Sequence, residues 1–169
     1  MNGVPRIAHI LAVCSGALLV LATCSRPPDP AAERAEVERV VRASIMWALD
    51  KDKDLLFSAL AHDEDFFIFH PDSASTIASW AEFEQLTDRV FMNPSFRAVR
   101  SELRDLRIGI SREGDAAWFR TYLDDIGEWD GVESGWLNTR WTGVLEKRAD
   151  GWRIVQMHFS FPTERCATE

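Results

Sequence analysis

Residues 140–162, RWTGVLEKRADGWRIVQMHFSFP, decide the fold, because two apolar runs flank the turn residues Ala149-Asp150-Gly151. This pattern predicts a β-hairpin, and a three-residue loop ending in glycine favours a type I turn followed by a left-handed Gly151. Such a loop pairs Arg148 with Trp152. A two-residue loop would shift the pairing by one residue and turn every side chain to the other face.

The three-residue loop gives the hairpin one mixed face and one apolar face, with Arg140 opposite Ser160 and Thr142 opposite His158. The mixed face carries Arg140, Thr142, Val144, Gln156, His158 and Ser160. The apolar face carries Trp141, Leu145, Val155, Met157, Phe159 and Phe161. Both faces look buried, so we expect the apolar face to meet helices or another subunit and the mixed face to line a pocket.

Three helices are predicted before the hairpin. Apolar residues recur at helical spacing over residues 32–50, Asp52 can cap a short second helix through Leu60, and Ser79 can cap a third that ends at Asn93-Pro94. The aromatic stretch before Pro71 predicts a short strand between the second and third helices.

After Pro94 the pattern is that of strands. Residues 96–110 and 116–124 read as strands joined by the turn SREGD, and WDGVESG reads as a loop before the hairpin. Helices first and an antiparallel sheet after them predict an α+β fold, in which a curved sheet can wrap the helices and leave a pocket.

Several motifs make the chain similar to a known superfamily: Arg140-x-Thr142, Asp150-Gly151-Trp152, the run VQMHFS at 155–160, and Trp80-x-x-Phe83. Over residues 32–162 the chain resembles the nuclear transport factor two-like superfamily, and within it the SnoaL-like and ketosteroid-isomerase-like domains. The resemblance implies a cone-shaped roll of the cystatin-like kind, in which a curved, mostly antiparallel sheet surrounds three N-terminal helices. It also implies a pocket at the wide end and a homodimer through the outer sheet face.

Arg140 and His158 are the first candidates for the site. On one face they could hold a carboxylate or enolate, because arginine offers a fixed fork of donors and histidine can donate or accept a proton. The alternative is structural: Arg140 pairs with Asp124, Glu128 or another acid, and His158 with a backbone group.

Other residues could complete the pocket. Tyr122 and Asp124 could add a hydroxyl and a carboxylate, although acids near a strand end are commonly solvated. His70 could lie at the pocket mouth or be a turn residue. Trp129 and Trp136 flank the predicted loop and are candidates for an aromatic rim. The ligand-binding set predicted from the sequence is therefore Arg140, Tyr122, Trp129, Trp136, Ser160 and His70.

Three functions remain open at this stage. The first is binding of a small anionic or aromatic molecule in the cone pocket. The second, implied by the resemblance, is isomerase, dehydratase or cyclase chemistry on a carbonyl compound without metal or cofactor. In that case His158 would be the acid or base, and Asp124 would be its orienter or a second base. Arg140 or Tyr122 would stabilise the oxyanion. The third is a noncatalytic homodimeric assembly module that uses the apolar hairpin face.

Composition argues against several other functions. The formal charge of −8 and the lack of a basic run make nucleic acid and anionic lipid poor partners. The histidines and cysteines have no metal-ligand spacing, and no glycine-rich loop follows a strand to hold phosphate. We expect no cofactor and no metal.

The N-terminus predicts export. Residues 1–23 carry one arginine and a short apolar stretch, as in a signal peptide, and Leu21-Ala22-Thr23-Cys24 resembles the lipobox of bacterial lipoproteins. We expect an acylated Cys24, a tether over 24–31 and a domain over 32–169, anchored in the cell envelope and facing the periplasm in a Gram-negative cell. The alternatives are ordinary secretory cleavage to a secreted or periplasmic soluble protein, or an uncleaved anchor.

The cysteines fit this reading. Cys14 lies in the leader and Cys24 would be acylated, which leaves Cys166 alone and predicts no disulfide. A Cys24–Cys166 bridge is the alternative if processing fails.

Overall fold

The computed structural model describes residues 29–162. The predicted leader, Cys24 and Cys166 lie outside these residues. The elements, in chain order, are α1 Pro30–Asp50, α2 Lys53–Ala59, β1 Phe67–Phe69, a 3₁₀ turn Ser73–Ser75, α3 Trp80–Leu86, a π-helical turn Thr87–Phe91, β2 Phe96–Ile110, β3 Ala116–Trp129, β4 Val132–Arg148 and β5 Gly151–Ser160.

One five-stranded sheet has the order β1-β5-β4-β3-β2, in which β1 is parallel to β5 and the other pairs are antiparallel. Helices come first and a curved, mostly antiparallel sheet follows, so the predicted α+β fold is confirmed. None of the helices within residues 29–162 is both long enough and apolar enough to cross a bilayer.

Side-chain caps set the helix starts. The Asp29 carboxylate accepts the Ala31 N–H at 3.0 Å and Pro30 occupies the first turn, so α1 begins two residues earlier than the periodicity predicts. Asp52 caps α2 by accepting the Leu55 N–H at 2.9 Å. Ser79 caps α3 by accepting the Glu82 N–H at 3.3 Å. The sequence predicts the caps of α2 and α3 correctly.

The hairpin has the predicted pairing but a different turn. Arg140 pairs with Ser160 and Thr142 with His158, whereas Arg148 pairs with Gly151, so the loop has two residues instead of three. A β-bulge at Val155 adds one residue to β5 and restores the predicted register beyond it. The shorter turn shifts the pairing by one residue, and the bulge shifts it back.

The expectation that the mixed face lines a pocket was wrong, whereas the apolar face meets the helices, which was one of its two expected partners. Trp141 is 0% and Phe159 4% exposed, because the apolar face of β4 and β5 packs against the apolar side of α1. The mixed face, with Arg140 and His158, is the outer surface of the sheet. Burying the apolar side chains of sheet and helix against each other leaves the mixed face to solvent. The apolar face is therefore not available for a second subunit.

The stretch predicted as a loop at 129–135 is a tight hairpin. β3 runs to Trp129 and β4 starts at Val132, with Asp130 and Gly131 at φ 49° and 82° between them. Two successive residues in the left-handed region form the turn typical of two-residue hairpins. β3 therefore continues beyond Asp124, where the sequence predicted its end, and β4 begins directly after the turn.

Bulges curve the sheet and set which side chains point inward. Between the pairs Leu123–Thr139 and Asp125–Trp136, two β4 residues lie opposite the single residue Asp124. A bulge bends its strand and changes the alternation of side chains beyond it. Without the extra residue, Trp136 would point away from the interior.

Candidate functional site

A cavity of about 420 Å³ lies between the helices and the inner face of the sheet. Its walls are mainly apolar and aromatic, as is typical of small-molecule sites. The aromatic walls are Trp47, Phe83, Phe91, Phe96, Trp129, Trp136 and Phe159, and the polar lining groups belong to Ser44, His70, Ser75, Asp125, Glu128 and Ser134.

Asp125 is a partly buried carboxyl in the lining of the cavity. It lies on the inner side of β3, and the Ser101 hydroxyl on β2 donates to its Oδ1 at 2.6 Å. Burial raises the pKa of Asp125, because desolvation disfavours the charged carboxylate, and the hydrogen bond from Ser101 opposes this increase. In its protonated form such a carboxyl can donate a hydrogen bond to a ligand oxygen.

Asp125 was not predicted, although the sequence held a signal for it. Along β3 the inner positions include Phe119 and Leu123, both buried, and this alternation continues to Asp125. Because the strand was predicted to end at Asp124, Asp125 was not assigned to either face of the sheet.

Asp124, the predicted second base, has a structural role on the outer face. Its carboxylate accepts the backbone N–H of Asn138 at 2.7 Å and the Arg104 guanidinium at 3.0 Å. The Asn138 hydrogen bond is the main cause that lowers the pKa of Asp124, with Arg104 contributing. Asp124 therefore fixes the bulge at Asn138, whose φ is 53°.

His70 lines the cavity just beyond β1. Its ring stacks on Phe159 with centroids 5.5 Å apart and meets Trp136 edge-on at 5.4 Å. Nδ1 hydrogen-bonds to the Ser75 carbonyl oxygen. A carbonyl only accepts, so Nδ1 carries the proton and Nε2 of a neutral ring is left as an acceptor.

Glu128 is the second carboxylate at the cavity, and it is already paired. Arg97 donates two hydrogen bonds to it, each of 2.8 Å, and the pairing lowers the pKa of Glu128. Among the described residues that line the cavity there is no lysine or arginine. The cavity therefore offers no lining cation to an anionic ligand.

The structure divides the predicted site residues into two groups. His70, Trp129 and Trp136 line the cavity.

Arg140, Tyr122, His158 and Ser160 lie on the outer face, which corrects the expectation that they surround the pocket. Arg140 is opposite Tyr122 on one side and Ser160 on the other. Within residues 29–162, no cluster of metal-ligating side chains is present.

The features described so far define a class: a small α+β cone in which N-terminal helices and a curved sheet enclose an apolar cavity. The family model of the SnoaL-like domain matches residues 37–164, and the chain belongs to this family. No curated protein resembles the chain closely enough to count as a match.

Solved structures share the fold at low sequence identity. A nuclear transport factor 2-like superfamily protein from Salmonella enterica is 18% identical, with a TM-score of 0.67, covering 83% of this chain and 99% of that one. A proposed aromatic ring hydroxylase from Novosphingobium aromaticivorans is 17% identical, with a TM-score of 0.66 and coverages of 81% and 94%. A proposed dehydratase from Streptomyces avermitilis is 18% identical, with a TM-score of 0.64 and coverages of 80% and 100%.

Proposed function

We propose that this protein binds a small, uncharged, largely aromatic molecule in the cavity, with Asp125 hydrogen-bonded to an oxygen of the ligand. The carrying observation is a cavity of about 420 Å³ whose aromatic walls surround a partly buried carboxyl with a raised pKa. Aromatic walls favour flat apolar molecules, and one polar group at a fixed place orients them.

The cavity chemistry favours a neutral ligand over the anionic one considered from the sequence. Glu128 brings a negative charge to the lining, and its arginine partner, Arg97, is exposed. An anion would lose its hydration without gaining a cation, which is costly in an apolar site. A ketone or phenol would accept or share the Asp125 proton without that cost.

The test is a titration with 2-acetylnaphthalene, a flat neutral ketone. Trp136→Ala removes a cavity wall, and Trp118→Ala removes a tryptophan on the outer face, which makes a matched control. We expect the dissociation constant to rise about ten-fold or more in Trp136→Ala, since a buried aromatic contact contributes more than about 1.4 kcal/mol. Trp118→Ala should bind as the wild type does. Equal affinities in all three proteins would reject the cavity as the site.

Acid–base catalysis is the second candidate, favoured by the presence of His70 and Asp125 in the lining of the same cavity. Nε2 of His70 would take a proton from the carbon next to a ligand carbonyl while the Asp125 carboxyl gives its proton to the carbonyl oxygen, forming an enol. Two groups whose surroundings set opposite proton roles are a frequent arrangement in such sites. In a β,γ-unsaturated ketone, protonation of the γ-carbon by His70 and return of the enol proton to Asp125 would move the double bond and isomerise the ligand.

Hydrogen–deuterium exchange at the α-carbon of 2-tetralone, followed by NMR, tests this second candidate. Asp125→Asn and His70→Gln should each slow the exchange by about 10²-fold or more. His158→Gln is the matched control, because His158 lies on the outer face. Exchange that survives both cavity variants, or that requires His158, would contradict the assignment.

Anchoring in the cell envelope through an acylated Cys24 also belongs to this proposal. It is supported by the resemblance of residues 21–24 to a lipobox. Intact-mass analysis of the protein extracted from membranes should find a chain that begins at Cys24 and carries the mass of its acyl groups. A chain without acyl mass, or one that retains its leader, would refute the anchor.

A further inference from the structure

Three polar side chains in the cavity lining already donate their hydrogen atoms to the protein. The Ser44 hydroxyl donates to the Val41 carbonyl oxygen at 2.9 Å. In the neutral ring of His70, Nδ1 donates to the Ser75 carbonyl oxygen. The Ser75 hydroxyl lies 3.0 Å from the carbonyl oxygen and 3.1 Å from Oδ2 of Asp72, and these two oxygens compete for its one hydrogen. These three groups therefore have no hydrogen left for a ligand.

Two of these groups still offer an acceptor to a ligand. A hydroxyl that donates keeps lone pairs on its oxygen, so Ser44 Oγ can accept, and Nε2 of the neutral His70 ring can accept as well. Ser44 lies on α1, and His70 follows β1, so the two acceptors belong to different elements of the cavity wall. A ligand that brings a donor would pair with atoms that a purely apolar ligand leaves unpaired.

Packing alone does not account for Ser44. It lies within α1, is 4% exposed, and shares the buried side of the helix with Val37, Val40 and Val41. Serine is a weaker helix former than alanine, and its hydrogen bond only returns to a carbonyl of its own helix. Alanine would occupy the same place without a hydroxyl to bury. A polar group held at this position in a cavity wall is explained by a contact with ligand.

His70 combines a fixed ring with a free nitrogen. The Nδ1 hydrogen bond to Ser75 and the ring contacts with Phe159 and Trp136 hold the imidazole in place. Nε2 forms no hydrogen bond with any residue between 29 and 162. A fixed ring also fixes the direction from which a donor must approach Nε2.

We propose that Ser44 Oγ and Nε2 of His70 are the acceptor positions of the cavity, and that they select a neutral aromatic ligand that carries a hydroxyl group. This inference rests on the proposed function and narrows its ligand from neutral aromatic molecules in general to phenols. The hydroxyl hydrogen is donated to one of the two acceptors. The hydroxyl oxygen accepts in turn from the Asp125 carboxyl or from an indole N–H of the walls.

Other oxygen groups satisfy only half of this arrangement. A ketone or an ether can accept from the donors of the cavity, but it leaves both Ser44 Oγ and Nε2 of His70 unpaired. A carboxylate would bring a charge into an apolar site whose lining holds no lysine or arginine among the described residues. A phenol avoids both costs.

Calorimetric titration of the full chain compares 2-naphthol with 2-methoxynaphthalene, which keeps the oxygen and lacks the hydrogen. 2-Fluoronaphthalene controls for size, because fluorine is close to a hydroxyl in volume and donates no hydrogen bond. We expect 2-naphthol to bind the wild type about ten-fold or more tightly than either compound, since a hydrogen bond to an otherwise unpaired buried group contributes about this factor.

The variant Ser44→Ala/His70→Phe should bind the three compounds about equally, because it removes both acceptors and keeps a ring against Phe159. Each single variant should lose part of the preference for 2-naphthol, and Ser44→Ala should not lower the melting temperature. Ser58→Ala is the matched control: its hydroxyl also donates to a carbonyl three residues earlier in a helix, that of Leu55 at 2.8 Å, but it is exposed and outside the cavity. This control should keep the full preference.

Nitrogen NMR gives a readout that a packing role would not move. In protein labelled with ¹⁵N-histidine, saturation with 2-naphthol should shift the Nε2 resonance of His70, because accepting a hydrogen bond changes the shielding of that nitrogen. 2-Methoxynaphthalene should shift it much less. The spectrum of His70→Phe assigns the resonance, and an unchanged Nε2 resonance at saturation would remove His70 from the site.

Failure of this inference can be told from failure of the proposed function. If 2-methoxynaphthalene binds the wild type as tightly as 2-naphthol while Trp136→Ala weakens both, the cavity is the site and the selection by acceptors is rejected. A preference for 2-naphthol that survives Ser44→Ala/His70→Phe rejects the two assigned residues. If Trp136→Ala leaves 2-naphthol binding unchanged, or if none of the three compounds binds, the proposed function and this inference are both rejected.

Discussion

Gly135 is the position where a single methyl group should do most damage next to the cavity. It lies on β4 opposite Ile126, and a Cβ atom placed on it would be 2.2 Å from the carbonyl oxygen of Asp125 and 2.8 Å from the Cα of Ile126. Both neighbours are backbone atoms, so no side chain can rotate to make room. Gly135→Ala must separate the two strands at the residue that carries the cavity carboxyl.

The size of the effect follows from that distance. A carbon–oxygen contact of about 3.2 Å requires the strands to separate by about 1 Å, a fifth of the usual strand spacing. That movement weakens the neighbouring ladder hydrogen bonds, worth about 1 kcal/mol each, and adds the 1–3 kcal/mol typical of overpacking. We expect Gly135→Ala to lower the free energy of unfolding by about 3 kcal/mol.

Urea denaturation is the assay, with Gly131→Ala as the matched control. Gly131 has a φ of 82° and nothing within 4 Å of its added Cβ, so alanine there introduces backbone strain without a clash. The control should lose only about 1 kcal/mol. If Gly135→Ala is no less stable than Gly131→Ala, the two strands do not approach as described and the position of Asp125 is in error.

Three further predictions concern titrating groups. The pKa of Asp125 is raised, so the contribution of its protonated form to stability is fully present below the pKa of the unfolded chain and is lost as the pH rises through the folded value. The stability of Asp125→Asn relative to wild type should therefore be greater at pH 7 than at pH 4. The same difference in urea midpoint between variant and wild type at both pH values would contradict this. Ser101→Ala removes the hydrogen bond that lowers the Asp125 pKa, so the carboxyl should titrate at higher pH by NMR; an unchanged titration would dismiss the bond. Glu33 accepts hydrogen bonds from Lys147 and Trp152, which lower its pKa. Its contribution to stability is therefore present above the pKa of the unfolded chain and is lost as the pH falls through the pKa of the folded protein. Glu33→Gln should destabilise the protein at pH 7 and have less effect near pH 2, and an equal effect at both pH values would exclude the charge as the cause.

The fold could be predicted from the sequence because its signals are local. Caps at Asp52 and Ser79 set helix starts, and alternation over 140–162 gave the pairing of Arg140 with Ser160. That pairing was right although the loop was one residue too long, since the bulge at Val155 compensates for the shorter turn. A bulge leaves no clear mark in a sequence, so this agreement did not follow from the reasoning about the turn.

The site was predicted poorly because it depends on which face of the sheet the helices cover. Alternation separates the two faces of the hairpin but does not say which of them borders the cavity, and both faces were expected to be buried. The stretch WDGVESG was read as a loop from its composition, although Asp130-Gly131 is itself the usual signal for a two-residue hairpin. Extending β3 through that signal would have assigned Asp125 to the interior.

Asp124 and Asp125 show how one strand gives neighbouring carboxyls opposite roles. Alternation turns Asp124 outward, where a backbone N–H and a guanidinium lower its pKa, and turns Asp125 inward, where desolvation raises it. Because Asp124 also fixes the bulge that points Trp136 into the cavity, it should affect ligand binding without touching the ligand.

This indirect role separates two variants of Asp124. Asp124→Ala removes the acceptor of the Asn138 N–H, so the bulge should loosen and 2-acetylnaphthalene should bind several-fold more weakly. Asp124→Asn keeps an acceptor oxygen at the same place, and it should bind as the wild type does. Calorimetric titration of both variants decides the question, because a proton-transfer or charge role requires the carboxylate and would be lost equally in Asn and Ala. Full affinity in Asp124→Asn with reduced affinity in Asp124→Ala therefore assigns Asp124 to the geometry of the bulge, and equal loss in both would return it to the chemistry of the site.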